Sequence, residues 1–200
     1  MKNTLITNKL LISGALMLGL SATEVMAERQ YAIEGLLGKA DQKNSIAGAQ
    51  VIDGFESSQG IRFVAPLGRV TSLELGYMDF GKVEDRFIDS FGDTITDTLE
   101  TESFNVGMRA ELPLGRIVSL TGRVGLAFWD FNFTETDGVD VFRSDDEGVD
   151  TYVGFGMQFD IEDDFRVAIE YTFLEFDADF DGLSTDQDIK NVAFSVGYRF

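Results

Sequence analysis

The sequence contains no cysteine and no histidine, and only 2 of its 200 residues are proline. Without cysteine, no disulfide can brace a secreted chain, so a core, hydrogen bonds or a membrane must hold it. Without histidine, Ser-His-Asp and Cys-His catalysis are excluded, and the commonest transition-metal ligand is missing. Few prolines, 21 glycines and 18 phenylalanines favour continuous sheet with tight turns. The composition therefore indicates a β protein and excludes histidine-dependent catalysis; chemistry that uses only Asp or Glu is not excluded, but nothing points to it.

After its first residues, the chain also lacks any apolar run long enough for a membrane-spanning helix. Lys2 and Lys9 precede the apolar run LLISGALMLGL, and a short segment ending in Ala27 follows. This pattern predicts a secretory signal peptide over residues 1–27. The remaining residues, 28–200, are expected to form one domain.

Basic residues are scarce: 16 Lys and Arg stand against 35 Asp and Glu, which gives a net charge of −19. This excess argues against nucleic acid as a partner, because the phosphates would be repelled. It also favours a soluble surface, and we expect a monomer.

The last segment, DIKNVAFSVGYRF, alternates strictly between large apolar and small or polar side chains. Val192, Phe194, Val196, Tyr198 and Phe200 share one face, as expected for a strand. A strand that ends the chain on aromatic residues is typical of an outer-membrane barrel, and a half-buried strand of a soluble protein is the alternative.

Seven further segments alternate in the same way, and their connections are in turn long and short. The predicted strands lie at about 30–39, 57–65, 70–82, 99–112, 117–133, 150–160 and 165–176. Two of the short turns repeat the tetrapeptide PLGR, in which Pro and Gly favour a tight corner. The pattern predicts an all-β fold, an eight-stranded antiparallel up-and-down transmembrane β-barrel with short periplasmic turns and long extracellular loops.

The polar faces of these strands carry a nearly balanced set of charges among small residues. They are Glu34, Arg62, Glu74, Arg109, Glu111, Arg123, Arg166, Glu170 and Arg199. In a narrow lumen such charges must pair to offset their desolvation, and Arg suits bidentate pairing with carboxylates. We therefore predict a lumen charge network that closes the barrel. The alternatives are scattered surface ion pairs, or a soluble ligand-binding barrel with its apolar face inward.

The hairpins around PLGR, the strand SLELGYMDFG and the ending VAFSVGYRF resemble the OmpA-type eight-stranded outer-membrane barrels, which include the OmpX/Ail-like proteins. The resemblance implies the outer membrane of a Gram-negative cell, with membrane lipid and lipopolysaccharide as surroundings. It also implies that Tyr198 and Phe200 belong to the signal read by the barrel-assembly machinery. The glycine usual in that signal is matched only by Ser195 or the displaced Gly197. Enzymes among the small barrels use a histidine, so their activity is not implied.

One acidic segment matches the start of a calcium-binding loop. Asp177, Asp179 and Asp181 occupy its first, third and fifth positions, Gly182 the sixth, and Asp188 the twelfth. The flanks read as strands and not as the helices of an EF-hand, so a solvated acidic loop is the alternative. Apart from this calcium site, no cofactor is expected.

We expect a structural or surface-interacting role without catalysis. The alternatives are a narrow pore for small solutes or ions, and an Ail-like adhesin that acts through its acidic extracellular loops. Trp129 and Phe131 are predicted either to anchor their strand at the membrane interface or to pack inside the rim.

Overall fold

The computed structural model describes residues 30–46, 49–88, 92–180 and 183–200, so the predicted signal peptide lies outside the described residues. Every strand pairs with its neighbours in sequence, and β1 pairs with β8 to close the barrel. The strands are β1 (Ala32–Ile46), β2 (Ala49–Pro66), β3 (Thr71–Ile88), β4 (Thr94–Pro113), β5 (Val118–Thr136), β6 (Val141–Asp160), β7 (Phe165–Phe180) and β8 (Leu183–Arg199). The predicted fold class is confirmed. Among the described residues, no helix is both long and apolar enough to span a membrane.

The strands run well beyond the ends that the alternation predicts. For example, residues 40–55 were expected to form a loop, but β1 continues to Ile46 and β2 begins at Ala49. The prediction was wrong because both faces of these extensions are largely polar, which removes the alternation that marks a strand. Cross-strand hydrogen bonds nevertheless satisfy the backbone there. We call this end of the barrel the hairpin end.

The opposite end, here called the short-turn end, carries three tight turns of the same kind. The amide of Leu67 donates to the carbonyl of Thr71, that of Leu114 to Val118, and that of Ile161 to Phe165. The chain terminus closes the barrel at this end, where Phe200 and Tyr31 exchange two backbone hydrogen bonds of 2.9 and 3.1 Å.

The strands are strongly tilted. Stepping from partner to partner once around the barrel from Ala32 leads back to Gln42 on the same strand. A stagger of this kind is what allows a sheet of eight strands to close into a narrow barrel.

The apolar face of the closing strand points outward, as predicted. Val192, Phe194, Val196, Tyr198 and Phe200 are between 44% and 60% exposed on the isolated chain. The other strands continue this apolar belt with residues such as Leu37, Phe63, Leu75, Phe104, Val124 and Phe155. An apolar belt outside and charges inside suit a barrel that lies in lipid.

Beyond the belt, the barrel divides into two facing sheets. The β2–β3 ladder ends at Gln59 and Asp79, and the β6–β7 ladder ends at Tyr152 and Leu174, although all four strands continue. Within the described residues, β7-β8-β1-β2 therefore faces β3-β4-β5-β6 at the hairpin end. Apolar side chains from both sheets fill the space between them.

A bulge in β3 lies where its ladder with β2 ends. Gly81 has a φ of 82°, and a Cβ at this position would lie 2.5 Å from the carbonyl oxygen of Ser57. The side-chain amide of Gln42 donates to the carbonyl oxygens of Phe80 and Gly81, at 3.0 and 3.2 Å. The bulge changes the alternation of β3, so that Phe80 and Val83 are both buried in the interior.

Candidate functional site

The lumen near the short-turn end is crossed by a cluster of buried charges centred on Arg62. Its Nε donates to Glu34 Oε2 at 2.7 Å, and its Nη2 donates to Glu170 Oε1 at 2.6 Å. Glu74 Oε2 lies 3.8 Å from the same Nε. Since these groups come from β1, β2, β3 and β7, the cluster ties distant strands together across the lumen.

Three more arginines surround this centre. Arg109 Nη1 lies 3.0 Å and Arg166 Nη2 lies 2.5 Å from Glu34 Oε1. Arg123 Nη2 lies 3.1 Å from Glu170 Oε2. Seven of the nine predicted lumen charges thus form one cluster, and none is more than 7% exposed. We refer to these four arginines and to Glu34, Glu74 and Glu170 as the charge network.

The remaining two predicted residues lie nearer the short-turn mouth. Arg199 Nη2 lies 3.3 Å from Asp160 Oδ1 and donates to the carbonyl of Glu162 at 3.2 Å. Glu111 accepts a hydrogen bond of 3.2 Å from Gln158. Both face the lumen side of the barrel, where Arg199 pairs with Asp160 and Glu111 bonds to Gln158, outside the charge network.

Two neutral residues also belong to the site, although the predicted set contained only charged residues. The hydroxyl of Tyr152 donates to Glu74 Oε1 at 2.6 Å. Gln158 accepts a short hydrogen bond of 2.5 Å from Arg109 Nη2. The alternation of β6 places both on the lumen face, so their position could have identified them.

Glycine makes room for the long charged side chains. A Cβ at Gly197 would lie 3.0 Å from the Cγ atoms of both Arg166 and Glu34. This close approach explains why small residues alternate with charges on the lumen faces.

A second obstruction lies in the lumen towards the hairpin end. The ring of Trp129 stacks on that of Phe176, with 4.1 Å between their centroids, and Phe131 meets Phe176 edge to face. Trp129 Nε1 donates to Asp150 Oδ2 at 2.9 Å, and Gly148 leaves the space that the indole occupies. Trp129 and Phe131 therefore pack inside the rim and do not face lipid. We call the buried apolar cluster at this level the apolar plug. Its members are Trp129, Phe131, Phe176, Phe80, Val83, Leu99, Leu174 and Ile189.

The arrangement leaves the interior filled over most of its height. Charges withdrawn from water are stable only when paired, and here each carboxylate faces at least one guanidinium. The charge network and the apolar plug both lie inside the lumen, one nearer each end of the barrel.

The other predicted sites lie elsewhere. Tyr198 and Phe200 lie on the outer face at the short-turn end, where Tyr198 contacts Phe165 and Phe200 contacts Tyr31. Their recognition by the assembly machinery stays a prediction.

The segment predicted as a calcium loop is a hairpin of two paired strands. Asp177 pairs with Asp186 and Asp179 pairs with Ser184, while Asp188 lies opposite Glu175. Asp181 is outside the described residues. In the part of the chain that is described, no three carboxylate, histidine or cysteine groups are placed to share a metal ion. The prediction of a loop was therefore wrong, because these residues pair as two strands. Calcium binding itself stays a prediction.

Asp97 is a buried carboxyl on β4, outside the apolar belt. It is 4% exposed, and its Oδ1 has no hydrogen-bond partner. Burial, with the nearby carboxylates of Glu135 and Asp85, raises the pKa of Asp97 to about 6. The folded chain therefore holds a proton here at pH values where the unfolded chain, with a pKa of about 3.9, has lost it.

We predict that Asp97→Asn stabilises the barrel most at pH 8 and progressively less towards pH 4. The buried wild-type carboxylate lowers the free energy of unfolding above pH 6. This penalty shrinks between about pH 6 and 4, as Asp97 becomes protonated in the folded chain. Urea unfolding of both proteins across this range measures the difference, with the exposed Asp145→Asn as control. A difference that does not change with pH would contradict the assignment.

The solved structures that share this fold include three bacterial proteins. Ail from Yersinia pestis, solved with the heparin analogue sucrose octasulfate, is 15% identical, with a TM-score of 0.56 over 86% of this chain and 99% of Ail. OprG from Pseudomonas aeruginosa is 11% identical, with a TM-score of 0.58 over 86% of this chain and 96% of OprG. Neisserial surface protein A is 12% identical, with a TM-score of 0.57 over 84% and 99%.

At these identities the likeness establishes the fold alone. No curated protein matches the chain by sequence. A family model does: that of the outer membrane protein beta-barrel domain matches residues 12–200. The chain therefore belongs to this family of outer-membrane β-barrels.

Proposed function

We propose that this protein is a closed, non-catalytic barrel with a structural or surface-interacting role in the outer membrane. The observation that carries the proposal is the ring of Glu34, Glu74 and Glu170 around Arg62, which spans the lumen. A pore of eight strands has little room to begin with. Here that room is occupied by paired charges.

The charge network and the apolar plug form two seals in series. Breaking the ion pairs alone leaves the Trp129–Phe176 stack in place, and removing the stack alone leaves the guanidinium and carboxylate groups. This favours a closed barrel over the alternative of a narrow pore.

The strand extensions at the hairpin end, which we propose to be the extracellular end, present mainly acidic side chains. Exposed examples on the outer face are Glu102, Asp130, Asp145, Glu147, Glu175 and Asp186. Ail was solved with a highly sulfated ligand. The acidic surface of this chain would repel such a polyanion. We therefore propose partners that carry positive charge, and contact with anionic lipopolysaccharide through divalent cations.

Thiol labelling tests whether the lumen is closed and whether the acidic surface is exposed outside the cell. Single cysteines can be introduced for this purpose because the natural chain has none. Ser195 is 3% exposed in the lumen and lies 3.3 Å from Glu170, whereas Asp145 is exposed outside. We expect a charged, membrane-impermeant thiol reagent to label Asp145→Cys on intact cells. Ser195→Cys should react on the order of 100-fold more slowly, because the reagent must wait for the network to open.

Urea-unfolded Ser195→Cys serves as the control and should react as fast as Asp145→Cys. Rapid labelling of folded Ser195→Cys would show an open lumen. An unlabelled Asp145→Cys on intact cells would contradict the display of this surface.

A further inference from the structure

A small chamber lies in the middle of the lumen, between the charge network and the apolar plug. Its volume is about 30 Å³, and Met78, Phe80 and Leu174 line it towards the plug. Glu74 and Arg123 line it on the side of the network. This is enough space for roughly one or two water molecules.

The chamber wall carries polar atoms that the protein leaves without hydrogen bonds. Glu74 Oε1 accepts from Tyr152, but Oε2 has no hydrogen-bond partner and only the longer ion-pair contact of 3.8 Å with Arg62. Arg123 uses Nη2 for Thr172 and Glu170, while its Nε has no partner. Glu74 is 2% and Arg123 is 7% exposed, so bulk solvent does not serve them.

A third atom adds an acceptor to this set. Asn105 also lines the chamber, and its Oδ1 is buried without a hydrogen-bond partner. The chamber therefore offers two acceptors and one donor, and buried polar groups of this kind are normally satisfied by protein or by ordered water.

The chemistry of the wall selects the occupant. The carboxylate of Glu74 disfavours an anion, and the guanidinium groups of Arg62 and Arg123 disfavour a metal cation. An apolar molecule would leave all three polar atoms unmet. The occupant must be small and neutral, and must both donate and accept hydrogen bonds.

We infer that the chamber is a built hydration site. Water there donates to Glu74 Oε2 and Asn105 Oδ1 and accepts from Arg123 Nε. The inference goes beyond the proposed closure of the barrel, since it identifies what occupies the space between the charge network and the apolar plug. Water completes the hydrogen bonding of the network on the side where the apolar plug offers no partner.

Gly76 provides the variant that fills the chamber. It lines the cavity, and a Cβ there would lie 3.4 Å from the carbonyl oxygen of Ile61 and 3.6 Å from Arg62 Cβ, which are ordinary contacts. Gly76→Ala should therefore displace water without a clash against protein atoms. The matched control is Gly35→Ala, whose Cβ would meet nothing within 4 Å on the outer face.

The test is magnetisation transfer from water to nearby protons, measured by NMR on the folded barrel in lipid or detergent. We expect cross-peaks from long-lived water to the Asn105 side-chain amide in the wild type and in Gly35→Ala, and their loss in Gly76→Ala. Absence of these cross-peaks in the wild type, or their persistence in Gly76→Ala, would overturn the inference. Fast labelling of Ser195→Cys would refute closure separately, so the two failures are distinguishable.

The urea midpoint of Gly76→Ala gives a second readout, because it should fall if the chamber holds water and rise if the chamber is dry. If the chamber holds water, Gly76→Ala leaves Glu74 and Arg123 without their bridge and lowers the urea midpoint below that of Gly35→Ala. If the chamber is dry, the added methyl fills a void and raises the urea midpoint. A raised midpoint would overturn the inference.

Discussion

Replacing Arg62 with alanine is expected to destabilise the folded barrel by about 3–5 kcal/mol, the usual cost of removing one partner of a buried ion pair. Arg62 donates to Glu34 and Glu170 and lies close to Glu74. Without its guanidinium, three buried carboxylates would face one another with less compensating charge. Urea unfolding of the barrel in lipid vesicles measures the loss.

Two variants show whether the loss comes from the buried network. Lys82→Ala breaks the exposed pair with Glu100, at 3.2 Å with both side chains about half exposed, and should cost at most about 1 kcal/mol. Arg62→Lys keeps the charge but loses the planar fork, so it should fall between the wild type and Arg62→Ala. Equal losses for Arg62→Ala and Lys82→Ala would contradict the network.

Trp129→Ala is expected to have an effect of similar size, about 3–5 kcal/mol, as for other buried large-to-small substitutions. The indole is 4% exposed, stacks on Phe176 and bonds to Asp150. Its removal leaves a hole where the β6–β7 ladder has already ended, so the two facing sheets lose a contact that the backbone does not replace. Thermal and urea unfolding of the reconstituted protein measure the loss.

The matched control is the neighbouring Phe128→Ala. Phe128 is 44% exposed on the outer face, where lipid can fill the space that the ring leaves. We expect a clearly smaller loss than for Trp129→Ala. If the lipid-facing substitution were the more damaging of the two, the apolar plug would not be a second core.

Strand alternation predicts much of this architecture, because it fixes the face on which a side chain lies. It placed Arg62 and Glu34 inside and Phe194 outside without any knowledge of pairing. It could not predict which arginine meets which carboxylate, since that depends on the register. For example, Glu34 of β1 and Arg166 of β7 both pair with Gly197 of β8, which has no side chain to keep them apart.

The hairpin end could not be predicted in the same way. Both faces of its strands are polar, so residues 40–55 resemble a loop, and the face of Trp129 stayed open in the sequence. The bulge at Gly81 further changes the alternation of β3, which is why Val83 lies inside although it begins an acidic segment. Such features depend on packing between the two facing sheets and leave little trace in local sequence.

The most direct measurement of the central claim is the conductance of the folded wild-type protein in a planar bilayer. Heat-modifiable migration on a gel first verifies that the inserted protein is the folded barrel. If the charge network and the apolar plug close the lumen as proposed, no discrete current steps should appear above the record of the bare bilayer. Reproducible steps whose frequency rises with the amount of folded protein would contradict the account.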